Sequence, residues 1–126
     1  MDKVIIKTHL APAPIGPYNQ AVKAGNMLFA SGQIAFNPAT GELVNANIAE
    51  ETHQVMSNIS AILTEAGAGF NNIVKTTIFL SDMSLFAEVN EIYGSYFTGD
   101  YPARETVAVK GLPKNVNIEI SVTAFL

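Results

Sequence analysis

The chain reads as an α+β domain, a mixed β-sheet with two helices packed on one face. Three observations lead there. Two stretches, residues 48–66 and 85–97, repeat apolar side chains at the i, i+3, i+4 spacing of a helix. The stretches around them alternate apolar and polar residues or run β-branched, as strands do. The two kinds follow one another as β-hairpin, α, β, α, β, β, with no internal repeat, low-complexity tract or linker, so residues 1–126 form one domain.

Residues 4–8 make a first strand. It gives way to Ala11-Pro12-Ala13-Pro14-Ile15-Gly16-Pro17-Tyr18, where three prolines and a glycine forbid regular structure and stiffen an extended loop. Such a loop holds Tyr18 in a fixed place; the plainer reading is a connector with an aromatic ring against the core. Gly25-Asn26, between residues 20–24 and 27–32, is a two-residue hairpin signal. Ser31-Gly32-Gln33 ends that hairpin, where a hydroxyl and an approachable backbone can face a ligand. Residues 36–43 are turn chemistry.

The first helix has Glu50 and Glu51 in its first turn and Gly67 or Gly69 as its stop. Residues 73–80, Ile-Val-Lys-Thr-Thr-Ile-Phe-Leu, read as a buried strand. A cap at Asp82 or Ser84 opens the second helix, with Leu85, Phe86, Val89, Ile92, Tyr93 and Phe97 on its apolar side. Asn90 and Tyr93 share one edge of it; at that spacing Tyr93 in the core and Asn90 in solvent is the commoner outcome.

Residues 101–110 and 117–126 alternate as strands about a turn of Gly, Pro and Asn, and pair as a closing hairpin with Lys110 opposite Asn117. That register puts Arg104, Thr106 and Ala108 on the face of Glu119, Ser121 and Thr123, away from an apolar face of Val107, Val109, Ile118, Ile120, Val122 and Ala124. A slip of one residue would exchange the faces of one strand.

Composition narrows the chemistry. Seven basic against eleven acidic residues give a net charge of −4, against nucleic acid as the main partner. Only 14% of residues are charged and mean hydropathy is +0.24, which suits a domain that buries part of its surface in an oligomer. There is no cysteine, so disulfides, thiolate metal sites and a thiol nucleophile are excluded. His9 and His53 have no metal-ligand spacing. No run is long enough to span a membrane and the first residues carry no leader pattern, so the default location is cytoplasmic.

Arg104 is the only arginine; the other six basic residues are lysines. A planar fork on a strand suits a bidentate grip on a carboxylate, although a surface ion pair is equally open. Phosphate-loop, dinucleotide and Ser-His-Asp signatures are lacking. What remains is a small-carboxylate site around Arg104 in which Glu119, partly desolvated, moves one proton for the hydration of an already electrophilic substrate.

Taken in order, Gly16-Pro17-Tyr18, Ser31-Gly32-Gln33-Ile34, Asn37-Pro38-Ala39-Thr40-Gly41, residues 74–80, Asp82-Met83, residues 89–93, Pro102-Ala103-Arg104, Leu112-Pro113-Lys114 and Ile118-Glu119-Ile120 resemble the reactive intermediate deaminase (Rid, or YjgF) family over nearly the whole chain. The resemblance implies a chorismate-mutase-like homotrimer with helices outside, sheets inside and sites in the clefts between subunits. It implies hydrolysis of enamine/imine products of pyridoxal-phosphate-dependent dehydratases, 2-aminoacrylate (2-iminopropanoate) and 2-iminobutanoate, to 2-keto acids and ammonia. No cofactor or metal is implied. By position, Arg104 would hold the substrate carboxylate and Glu119 would orient or activate water, with Tyr18, Ser31, Asn90, Tyr93 and Thr106 lining the cleft. Thr106 stands where many relatives have a cysteine, Glu105 where a small residue is common, and Ser121 where a second acid is frequent. The alternative is a non-catalytic binding or regulatory protein for keto or amino acids; it would keep Arg104 without needing Glu119.

Overall fold

The structure, a computed structural model, describes residues 2–126; Met1, the first residue of the expected domain, lies outside the described residues. Its elements are β1 (Lys3–Ile6), β2 (Ala21–Ala24), β3 (Met27–Gln33), α1 (Ile48–Glu65), β4 (Ile73–Leu80), α2 (Phe86–Gly94), β5 (Ala103–Ala108) and β6 (Ile118–Phe125). They build a mixed six-stranded sheet in the order β1-β2-β3-β6-β4-β5. The β2–β3 hairpin turns at Gly25-Asn26, with Gly25 at φ 60°, as the sequence predicts. The turn at residues 36–43 is closed by a Phe36–Leu43 bridge.

A side chain caps the start of α1, whereas α2 has no side-chain cap of its own. The Asn47 side chain accepts from Glu50 N at 2.8 Å and opens α1, and Gly67 ends it at φ 78°. Asp82 accepts from Ser84 N at 2.8 Å, which lowers its carboxyl pKa, but it caps a single 3₁₀ turn (Met83–Leu85) that leads into α2. Both helices lie on one face. There Ile118, Ile120, Val122 and Ala124 of β6 and Thr76, Ile78 and Leu80 of β4 are buried against Val55, Met56, Ile59, Ile62, Leu63, Val89 and Tyr93.

The closing hairpin is not formed. β5 pairs with β4, parallel, with Arg104 beside Thr76 and Thr106 beside Ile78, while β6 lies antiparallel between β3 and β4. The physical reason is twofold. β4–α2–β5 is a strand–helix–strand crossover, whose strands pair in parallel. β6 buries every second side chain completely and needs ladder partners on both edges, whereas β5 is largely exposed and tolerates an edge. The connection between them is a wide loop through a 3₁₀ turn (Pro113–Asn115), with Lys114 and Asn115 at φ 58° and 54°.

Parallel pairing reverses the faces. Arg104 and Thr106 share the helix face with Thr76 and Ile78; Glu119, Ser121 and Thr123 lie on the other face, in register with Phe79, Thr77 and Lys75. That second face is uncovered in the chain, and Ile5, Phe29, Val107 and Phe125 on it are all more than a third exposed.

Candidate functional site

The predicted site residues fall into two groups, one on each side of the sheet. On the helix side, Arg104 Nη1 donates to Asn90 Oδ1 at 2.7 Å. Its guanidinium carbon sits 5.4 Å from the Tyr93 ring centroid and 5.7 Å from that of Phe86, within cation–π range. The three-residue offset of Asn90 and Tyr93 brings both to the arginine, as their shared helix edge requires. Tyr93 donates its hydroxyl to Thr76 Oγ1 at 2.9 Å, and burial raises its pKa despite that bond and the nearby Arg104. So the ring under the guanidinium is neutral and fixed.

Asn90, Tyr93 and Arg104 line, with Tyr101 and Pro102, a cavity of about 660 Å³. Thr106 stands two residues along the same strand face. Its Oγ1 is buried and, among the described residues, has no hydrogen-bond partner. A buried hydroxyl in that condition lacks about 1–3 kcal/mol of hydrogen bonding, and Thr106 is not among the residues lining that cavity.

Glu105 points away from all this. It lies 3.2 Å from Lys75 Nζ and accepts from Thr77 Oγ1 at 3.2 Å on the opposite face, so it does not compete for the guanidinium.

The second group surrounds Glu119. β3 carries one extra residue against β6 between Ala30 and Gln33, a bulge that takes in Ser31 and Gly32. Gly32 is brought so close that an added Cβ would collide with the Glu119 carboxylate and lie 2.8 Å from Cδ and 3.0 Å from Cγ. The backbone therefore forms a notch that only glycine leaves open. Half-buried there, the Glu119 carboxyl has its pKa raised by desolvation. Glu119 lines a cavity of about 360 Å³ with Ile15, Tyr18, Ser31, Gly32 and Pro113.

The Ser31 hydroxyl donates to Asn19 O at 2.6 Å and Ser31 N donates to Gln20 O at 2.9 Å, tying the bulge to the proline loop. Tyr18 is 46% exposed at the mouth, its hydroxyl accepting from Ile15 N at 3.3 Å.

Arg104 and Glu119 are thus on opposite faces of one sheet and share no cavity in a single chain, contrary to the common face expected from the hairpin. Three further residues shape the site and were not singled out by sequence: Phe86, which stacks on Arg104; Gln20, which pins the proline loop; and Glu51, which braces the start of β6. Phe86 carried a usable signal, being one helical turn before Asn90. Among the described residues no three His, Asp or Glu side chains gather as metal ligands, and no helix is long and apolar enough to cross a membrane.

Comparison with known proteins is consistent over the whole chain. Residues 8–126 match the family model described as Endoribonuclease L-PSP. A RutC family protein of Pyrococcus abyssi is 50% identical, covering 99% of this chain and 98% of its own. The mouse 2-iminobutanoate/2-iminopropanoate deaminase is 46% identical over 95% of this chain and 89% of its own. The crystal structure of a Rid-family protein of unknown function from Yersinia pestis superposes with a TM-score of 0.97 at 48% identity, covering 99% of this chain and all of the other.

Proposed function

The chain belongs to the endoribonuclease L-PSP family, which is the Rid/YjgF family anticipated from its sequence, and from that premise we propose that it hydrolyses small 2-imino acids to 2-keto acids and ammonia. The substrates are 2-iminopropanoate, the imine tautomer of 2-aminoacrylate, and 2-iminobutanoate. The observation that carries the reading is the division of the site: an oriented guanidinium on one sheet face and a desolvated carboxylate in a notch on the other.

Two such halves make one whole site when the Arg104 half of one chain meets the Glu119 half of another. A homotrimer of chorismate-mutase-like architecture, with the uncovered sheet faces turned inward, supplies such clefts and covers Phe29 and Phe125.

In that cleft Arg104 holds the substrate carboxylate by two parallel N–H···O bonds, while Asn90 and the Tyr93 and Phe86 rings keep the fork aimed. Thr106 offers its unpartnered hydroxyl to the same carboxylate. Water attacks C2 and passes a proton to Glu119, a carboxylate whose raised pKa suits it to take one up. Glu119 returns that proton to nitrogen to give the carbinolamine, then takes the remaining hydroxyl proton and delivers it to nitrogen as the C–N bond breaks and C2=O forms, so that ammonia leaves. Tyr18 and Ser31 line the mouth on the Glu119 side. The sum is imine plus water to keto acid plus ammonia, with no cofactor in the balance. Pyridoxal-phosphate-dependent dehydratases, the source of such imines, are the functional partners, in the cytoplasm.

The test couples the purified protein to a serine or threonine dehydratase, with semicarbazide trapping surviving imine and free keto acid counted separately. Wild type should divert imine to keto acid and Arg104→Ala should not. An unchanged trapped fraction with wild type, together with keto-acid binding, would replace the enzyme by a ligand sensor.

A further inference from the structure

Glu51 is the one carboxylate of the described residues that is completely buried: 0% of it is exposed, and no Lys or Arg of the described residues pairs with it. Its neighbour Glu50 is exposed and already supplies the acidic side chain that favours a helix N-terminus. Burying a carboxylate without a cation is expensive unless hydrogen bonds compensate. Here three do: Oε2 accepts from Asn117 N at 2.8 Å and Ile118 N at 3.2 Å, and Oε1 accepts from Asn117 Nδ2 at 3.0 Å. On its other side Asn117 is held by the end of β4, through Ser81 N to Asn117 O at 2.9 Å and Ser81 Oγ to Asn117 Oδ1 at 3.0 Å.

These are the two residues that precede Glu119. Successive N–H groups of a strand point to opposite sides, so one oxygen can accept from both only where the strand has not yet begun. The Glu51 carboxylate therefore sets where β6 starts and in which phase, with Ile118 to the helices and Glu119 to the notch. The notch itself leaves no slack, because even the Cβ that glycine lacks would collide with the Glu119 carboxylate.

We infer that Glu51 is a positioning residue for Glu119: it delivers that carboxylate into the Gly32 notch from the far side of the sheet. The inference rests on the imine-hydrolase reading for its kinetic consequence but not for its structural one. In the dehydratase-coupled assay, Glu51→Leu should lower kcat by about tenfold or more, as a misplacement near 1 Å does. KM should stay within about twofold, because the carboxylate grip lies across the sheet. Glu51→Gln, which keeps one oxygen for the two backbone N–H groups, should recover most of kcat. In a Glu119→Gln background Glu51→Leu should cost nothing further.

Full additivity of the two substitutions, or an unchanged kcat in folded Glu51→Leu, would overturn the assignment. A second readout needs no activity and survives poor folding of the leucine variant. In carboxyl-labelled protein the Glu119 signal, identified by its loss in Glu119→Gln, should titrate above the ordinary carboxylate range in wild type. It should stay there in Glu51→Gln, which keeps the Asn117 and Ile118 N–H groups bound, and move back toward that range in Glu51→Asp, whose carboxylate is one methylene too short to reach them. A signal that moves in a protein without imine hydrolysis would reject the reaction and keep the positioning; a signal that does not move would reject the positioning.

Discussion

A guanidinium that has one N–H on Asn90 and the Tyr93 and Phe86 ring centroids 5.4 and 5.7 Å from its carbon keeps few orientations. Arg104→Lys retains the charge but loses the fork and the stacking. With about 1.5–3 kcal/mol for a hydrogen bond to a charged group, kcat/KM for imine hydrolysis should fall about ten- to a hundredfold, mostly through KM. Gly32→Ala does the reverse: the added Cβ displaces the Glu119 carboxylate, so steady-state kinetics should show kcat reduced with KM little changed.

Glu119 also makes stability depend on pH. Burial raises its pKa, so the folded state favours the protonated form. Below the ordinary carboxylate range both folded and unfolded chains hold the proton. As pH rises, the unfolded chain ionises first, and stability falls until the folded carboxyl ionises as well. Glu119→Gln should therefore melt higher than wild type at neutral pH, and melting curves recorded down the acid range should converge.

Among the elements, the loop of residues 8–18 depends on a single amide. Gln20, 3% exposed, donates Nε2 to Thr8 O at 2.9 Å, Ala11 O at 3.2 Å and Pro12 O at 2.9 Å, and accepts from Thr8 N at 2.8 Å. Gln20→Leu leaves these groups without partners and should cost about 2–4 kcal/mol, read as a lower urea midpoint at unchanged slope.

Elements set by local pattern were legible in the sequence. β4 matches its β-branched run residue for residue, and the Gly25-Asn26 hairpin and the start of α1 stand where turn chemistry and periodicity put them. The partner of β5 was not legible from alternation, which is the same for either neighbour. The better signal was the order strand, helix, strand over residues 73–108, which implies parallel pairing. The Gly32 notch and the role of Glu51 depend on contacts between segments 66 or more residues apart, beyond any local pattern. Glu51 in particular looked like an ordinary first-turn acid.

At the scale of the assembly, the split between sheet faces makes a prediction free of adjustable quantities. Arg104→Ala and Glu119→Gln chains, each inactive alone, should regain activity when unfolded and refolded together. With independent draws at equal amounts, a cleft has an intact Arg104 half and an intact Glu119 half in about a quarter of cases. Recovery near that fraction of wild-type imine hydrolysis is expected; no recovery would mean that both groups serve from one chain. Sedimentation of the same mixture should show trimers.

The same division has a genetic corollary. A chain that lends Arg104 to one cleft and Glu119 to another is a component of two catalysts at once. In the proposed trimer, a single chain from an allele crippled at both positions but sound in assembly would spoil two of the three clefts, and two such chains would spoil all three. At equal expression it would leave about a quarter of normal activity rather than half. For this fold, dominance would be written into the side of the sheet from which each side chain projects.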